Sequence, residues 1–267
     1  GDSSTTTPDS SAPAPSSGAL GQGWISKLIV GQQFNAEGAQ KQSRSSLLSS
    51  SDFVYEFSTH NFRPGHGDDY LKSFGNYVKA YEKALPSVEL VGSWTVGYGR
   101  TQDQAIHLWR YNQGYKDVEN SLRAHKEDGA LRAADNATAQ LCGRRKSIIV
   151  KSLSFWGEPE PRSPSNIYEM KTYALKPGSW AEWGNAWASR NANQEDSNEE
   201  VCGFVSQVGQ LYVVYHIWAY PSKGARNETR TSTWASPGWD ETVACTEPLI
   251  EKTVSKILTP TEFSQLQ

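Results

Sequence analysis

The segment VYEFSTHNFRPG, beginning at Val54, returns as IYEMKTYALKPG, beginning at Ile167. Tyr55 is matched by Tyr168, 113 residues further on, and the His-aliphatic-Trp triplet at His107 is matched at His216, 109 residues further on. Two landmarks at nearly one offset mark a duplicated unit the size of a small domain. A chain of 267 residues holds two such units. Function is therefore expected where the copies meet.

Each copy reads as βαββαβ. In the first, the alternation from Phe53 to Thr59 predicts a strand that Pro64-Gly65 ends. Tyr70, Phe74, Tyr77, Val78, Tyr81 and Leu85 recur at helical spacing before Pro86. Leu90 to Val96 and Ala105 to Tyr111 predict a hairpin, residues 115–142 a polar helical stretch broken near Gly129, and Ser147 to Trp156 a closing strand. The second copy repeats the order, with Trp180, Trp183 and Trp187 as the core stripe of its first helix. Val201 to Val208 and Leu211 to Tyr220 are expected to pair across a two-residue turn at Gly209-Gln210. A helix over residues 241–251 and a strand over residues 253–258 follow.

Two βαββαβ units are ferredoxin-like folds, each a sheet with helices on one face and the other face bare. Burying one bare face against its sibling gives an α+β protein, a single-chain dimeric α/β barrel. The expected divisions are a Ser/Thr/Pro-rich tail over residues 1–22, disordered for want of apolar side chains, and a docking segment over residues 23–51. In that segment WISKLIV and Leu47-Leu48 supply the contacts. The first unit then spans residues 52–156, a proline-rich linker residues 157–166, and the second unit residues 167–267.

Alternation sorts each strand into two faces. Tyr55, Phe57, Tyr168, Met170, Val213, Tyr215 and Ile217 are the more apolar set, expected beneath the helices. That leaves Glu56, His107, Trp109, Glu169, Lys171, Tyr173, His216, Trp218 and Tyr220 to line the barrel interior, with Glu56 beside His107 and Glu169 beside His216. A carboxylate-imidazole pair in a cavity can orient or deprotonate a ligand. The same groups can equally form a satisfied polar network that only supports packing. Arg226, Arg230 and Trp234 share a helix face, where the arginines can grip an anion but read rather as exposed or paired with Glu228.

Charge is nearly balanced at −3 with no basic block, which argues against nucleic acid as a partner. No apolar run approaches the roughly 18 residues of a membrane span. The three cysteines, Cys142, Cys202 and Cys245, form no C-x-x-C pair, and no histidine stands at zinc-ligand spacing, so neither metal nor cofactor is expected. Nucleotide-loop, zinc-peptidase and α/β-hydrolase motifs are absent from the sequence, and no catalytic residue is assigned. The one methionine is Met170, so the sequence is compatible with a removed N-terminal transit peptide.

The run NIYEMKTYALKPGSWAEWGNAWASR, then GFVSQVGQLYVVYHIWAY, ARNETRTSTW and the Pro237-Gly238-Trp239-Asp240 turn closely resemble the NipSnap family, as do QDQAIHLWRY and SFWGEPEPR in the first copy. The resemblance runs from Gly23 to Gln267. It implies a mitochondrial matrix protein that is displayed on damaged mitochondria. There it would act as a non-enzymatic adaptor, recruiting autophagy receptors and their ubiquitin-like partners in mitophagy. A vesicular-transport role, a structural assembly module that self-associates through sheet edges, and a small-molecule-binding or oxygenase-like barrel are the alternatives. Phe263 and Leu266, an aromatic-x-x-aliphatic pair behind Glu262, are candidates for partner docking by strand addition, or else a C-terminal anchor.

Overall fold

The computed structural model describes residue 1 and residues 43–99, 101–192 and 198–267. The chain divides into two units, residues 1–43 and 44–267, and the architecture below is that of the second. The expectations for residues 1–22 and for residues 24–30 lie outside the described residues.

The first copy consists of β1 (Val54–Phe62), α1 (Gly67–Ala84), β2 (Val88–Tyr98), β3 (Gln104–Tyr111), α2 (Tyr115–Glu127), α3 (Gly129–Gln140) and β4 (Cys142–Ser152). The second consists of β5 (Ile167–Leu175), α4 (Trp180–Ala192), β6 (Glu200–Val208), β7 (Val213–Tyr220), α5 (Lys223–Trp234), α6 (Trp239–Thr246), a 3-10 turn (Glu247–Leu249) and β8 (Ile250–Pro260). All eight strands form one closed barrel in the order β1-β3-β2-β8-β5-β7-β6-β4, each pairing antiparallel. Each copy thus contributes a four-stranded sheet. The seams between copies are β2 with β8, where Thr95 faces Thr259, and β4 with β6, where Val150 faces Ser206. Closing both seams leaves no free sheet edge in the barrel among the described residues.

Local sequence explains the helices. Tyr70, Phe74, Tyr77, Val78 and Tyr81 form the buried stripe of α1, Asp68 and Asp69 sit in its positive first turn, and Pro86 follows its end. Asp128 separates α2 from α3 by accepting a hydrogen bond from the Leu131 amide at 2.9 Å, the N-cap that breaks the predicted long helix. Leu47 is fully buried and Leu48 bridges to Leu153, so this pair docks on the body as the sequence suggests.

Several element boundaries differ from expectation. β4 starts at Cys142 rather than Ser147, because Arg144, Arg145 and Lys146 pair with β1 despite offering no apolar signal, and it stops at Ser152. The β6–β7 connection spans residues 209–212 rather than two residues, with Gly209 and Tyr212 at positive φ. α6 ends early at Thr246, and β8 extends over Ile250–Pro260.

The largest correction concerns the faces. Directly opposed residues on paired strands share a face, and the register puts Phe57 with Leu108 and Glu56 with Trp109. Inside the barrel, aromatic rings from the two copies meet: Tyr55 and Phe204 at 4.9 Å, Phe57 and Phe204 at 5.4 Å, Phe57 and Tyr215 at 4.9 Å between centroids. Under the helices, Phe74 of α1 stacks on His107 at 3.7 Å and Tyr81 packs on Trp109 at 4.9 Å. The apolar set therefore fills the barrel, and Glu56, His107, Trp109, Glu169, Lys171, Tyr173, His216, Trp218 and Tyr220 lie beneath the helices. In a closed barrel both sheet faces are buried, so hydrophobicity does not distinguish inside from outside. The interior is filled by strand side chains, with Leu266 of the C-terminal segment, and takes the compact apolar set. The helix side accepts polar groups because helices bring hydroxyls and guanidinium groups to meet them.

Candidate functional site

In the first copy the polar groups form a chain. Tyr70 of α1 places its hydroxyl 2.8 Å from His60 Nδ1 and 2.8 Å from His107 Nε2. His107 Nδ1 lies 3.0 Å from Ser93 Oγ, which accepts from the Thr261 hydroxyl at 2.6 Å. One assignment satisfies every member: Thr261 donates to Ser93, Ser93 to His107, His107 through Nε2 to Tyr70, and Tyr70 to His60. Burial, and then the nearby His60, hold His107 well below the usual histidine range. Burial, with Arg145 next, lowers His60 to about 4. Both rings are neutral at pH 7.

Glu56 does not meet His107, whose partner across the strands is Ser58. Its carboxylate instead accepts from the Tyr111 hydroxyl at 2.5 Å. Together with Trp109, Tyr77, Tyr81 and His125 it lines a cavity of about 520 Å³ between the sheet and the helices.

In the second copy Glu169 is fully buried and accepts from Arg226 of α5 in a bidentate pair, Nε at 2.8 Å and Nη2 at 2.7 Å, and from Ser255 of β8 at 2.5 Å. Burial pushes its carboxyl up, but the Arg226 bond, Lys171 and Ser255 outweigh this and hold it below the usual range. Lys171 rests over the Trp218 ring at 5.2 Å, its ammonium pKa lowered by burial against the pull of Glu169. Tyr173 is raised by burial and then by Glu169. Glu169, Lys171 and Tyr173 line a cavity of about 560 Å³ with Trp187, Arg230 and Trp239. Trp218 stacks parallel to Tyr220 at 6.3 Å beside it.

His216 is opposite Lys171 rather than Glu169. Its ring stacks on Trp156 at 3.6 Å, and Nδ1 accepts from the Trp218 indole at 3.1 Å. Burial, then Lys171 and Arg190, depress its pKa strongly. The expected carboxylate-imidazole pairs are thus replaced by two unlike arrangements, a hydroxyl-histidine chain in one copy and a Glu-Arg pair in the other. His60 and Tyr70 were missed because they came from a strand end and a helix stripe that read as ordinary core. Arg226 pairs with Glu169 rather than standing exposed or meeting Glu228, a partner hidden from the sequence because it lies on a strand distant along the chain. Among the described residues no three His, Cys, Asp or Glu side chains converge as metal ligands.

Phe263 and Leu266 are engaged within the chain. Leu266 is fully buried in the barrel's apolar cluster, and Phe263 packs edge-on against Phe74 at 6.0 Å above Gly75. The backbone around them is bound to β2: Thr261 N to Ser93 O at 2.9 Å and Gln265 N to Val91 O at 3.2 Å. Docking a partner by strand addition would require this segment to leave the core.

A closed eight-stranded barrel built from two βαββαβ copies, with helices outside, defines a dimeric α/β barrel contained in one chain. The matches to known proteins give its family. The NIPSNAP family model matches residues 55–156 and again 168–265, one match per copy. The chain belongs to the NipSnap family. It is 58% identical over 246 residues to the NipSnap protein K02D10.1 of Caenorhabditis elegans, covering 92% of this chain and 47% of that one, so it spans about half of that relative's length. It is 39% identical to NipSnap homolog 1 of Danio rerio (92% and 88% covered) and 38% identical to NipSnap homolog 2 of Homo sapiens (91% and 85% covered). Two solved bacterial structures described as monooxygenases share the architecture. That of Fusobacterium nucleatum has TM-score 0.60 at 10% identity, covering 79% of this chain and 94% of the other. That of Lactobacillus acidophilus has TM-score 0.58 at 10% identity, covering 80% and 97%. At such identity the likeness is one of fold. Among the described residues no helix is long and apolar enough to cross a membrane.

Proposed function

We propose that the protein is a non-enzymatic mitochondrial adaptor that recruits autophagy receptors and ubiquitin-like autophagy proteins to damaged mitochondria. The observation that carries this reading is the fate of the ionisable groups: Glu169 is bound by Arg226 and Ser255, and His107 by Tyr70 and Ser93. Groups committed to such bonds support a scaffold better than proton transfer to a substrate. At the same time Val208, Leu211 and Tyr212, at the end of β6 and in the loop after it, are 56%, 51% and 39% exposed, and clustered exposed apolar side chains suit a protein contact. The test is a pull-down of purified autophagy receptors and ubiquitin-like proteins by the full chain. Capture that survives Glu169→Gln and is lost in L211S/Y212S, with native circular dichroism, is the expected result. No capture across the panel would end the adaptor reading.

A second reading, small-molecule binding on the helix side, is favoured by the 560 Å³ cavity, whose wall carries Glu169, Lys171 and Tyr173. Native mass spectrometry of protein from its own cells separates the two. A stoichiometric small ligand favours this reading, and a co-purifying protein favours the adaptor.

A further inference from the structure

The barrel is built differently at its two ends. At the end where β1 and β5 begin, Tyr55 and Tyr168 are buried, Trp94 packs on Tyr168 at 5.6 Å, and the Tyr168 hydroxyl donates to the Gln267 carbonyl at 3.1 Å. Leu266 is fully buried in the same apolar cluster, so large side chains pack this end. At the other end a cavity of about 440 Å³ opens between the strands, a volume within the roughly 300–1,000 Å³ of ordinary ligand sites.

The inward-facing positions of two strands line this mouth with cations. On β4 the register sets Arg144 opposite Asn61 and Lys146 opposite Thr59, both inward. On β8 it sets Lys252 opposite Ala174 and Lys256 opposite Met170, also inward. No Asp or Glu lines the cavity, although the whole chain carries a net charge of −3. Among the described residues Arg144, Lys146 and Lys252 make no ion pair with a carboxylate. Lys256, the deepest, is held in place by Gln104 Oε1 at 2.5 Å. Like charges gathered in one mouth repel each other, and a bound anion removes that repulsion.

Below Arg144, Lys146 and Lys252 the wall turns apolar, with Phe57, Ile106, Ile148 and Tyr215, and with Met170 level with Lys256. From Arg144 to Ile148 is four residues, or about 13 Å of strand and about 10 Å of depth once barrel tilt is allowed for. That depth fits an extended chain of about eight carbons. We propose that the open end of the barrel binds an amphipathic anion, a carboxylate or phosphate head on a short apolar chain. The head sits among Arg144, Lys146, Lys252 and Lys256, and the chain lies against Phe57, Ile148 and Met170. The apolar wall of this site is shared with neither helix-side cavity, although Lys146 borders one of them and Lys252 the other, and the site stands or falls independently of the adaptor reading.

The test is isothermal titration calorimetry of the full chain with octanoate, octyl phosphate, octan-1-ol and inorganic phosphate. The proposal expects one octanoate or octyl phosphate per chain, with octan-1-ol and inorganic phosphate each at least about tenfold weaker, since the neutral probe loses the charge-assisted bonds and the bare anion loses the apolar contact. The tighter of the two alkyl anions identifies the head group. In R144Q/K146Q/K252Q, three solvent-exposed changes that leave the core intact, octanoate binding should fall by about tenfold or more and lose most of its salt dependence. Octan-1-ol binding as tightly as octanoate, inorganic phosphate as tightly as octyl phosphate, an unchanged affinity in the triple variant, or no binding of either alkyl anion overturns the proposal.

Discussion

The pair Glu169–Arg226 makes a prediction whose order is unusual. Glu169 is fully buried, whereas the Arg226 side chain keeps 22% of its surface exposed. Removing either partner is therefore not symmetrical. In Glu169→Gln the arginine can turn outward into water, and the amide can still accept from Ser255. The loss is one charge-assisted bidentate pair, about 1–2 kcal/mol. In Arg226→Ala the carboxylate stays inside, bonded to Ser255 and near Lys171, but without its main counter-ion. Breaking a buried pair in that direction costs about 3–5 kcal/mol, and the remaining contacts bring the expectation to about 3 kcal/mol. Arg226→Ala should therefore destabilise more than Glu169→Gln by at least about 1 kcal/mol, and E169Q/R226M should recover part of the Arg226→Ala loss. Urea unfolding at pH 7.5, followed by tryptophan fluorescence, measures all three. Equal losses, or a larger loss for Glu169→Gln, would refute the argument that exposure sets the cost.

Three further outcomes follow from the same packing. His60, His107 and His216 are all depressed, so the unfolded chain binds more protons than the folded one below the ordinary histidine pKa. Stability should be flat between about pH 7 and pH 8 and fall below pH 6.5 by up to about 1.4 kcal/mol per pH unit for each ring, with Glu169 adding its loss only below about pH 4.5. Urea midpoints that do not change between pH 7 and pH 5 would contradict the buried neutral rings. A methyl group at Gly203 would lie 1.9 Å from the Trp156 ring where that ring covers His216, so Gly203→Ala should cost about 1–3 kcal/mol and shift tryptophan emission. Thermal unfolding within about 0.5 kcal/mol of wild type would show that the ring is free to move. Leu266→Ala should cost about 2–4 kcal/mol, and a neutral effect would mean that the C-terminal segment is detached in solution.

The architecture was legible because duplication is visible without any knowledge of packing. A repeated βαββαβ unit leaves one way to bury both bare sheet faces within a single chain. The division of each strand into two faces was equally legible, since alternation of Tyr55 and Phe57 with Glu56 and Ser58 is a property of the pleat. Which face points inward was not. That depends on what the helices bring: Tyr70 to His60 and His107, Arg226 to Glu169, each a contact between elements whose relative position no local pattern encodes. The cations of the barrel mouth were present as alternating positions, Arg144 with Lys146 and Lys252 with Lys256. Nothing in the sequence groups them, because β4 and β8 lie on opposite sides of the barrel order and meet only through closure. Phe263 and Leu266 looked like a linear motif for the same reason, their packing partners being Phe74 and the barrel core.

Closure of the two copies into one barrel within one chain is best tested by cross-strand nuclear Overhauser effects at the seams in protein shown to be monomeric by sedimentation. Contacts between Thr95 and Thr259, and between Val150 and Ser206, are the predicted result. A monomer that shows the β1–β3 and β5–β7 contacts but none across either seam would contradict the closed barrel and remove the basis for its basic mouth.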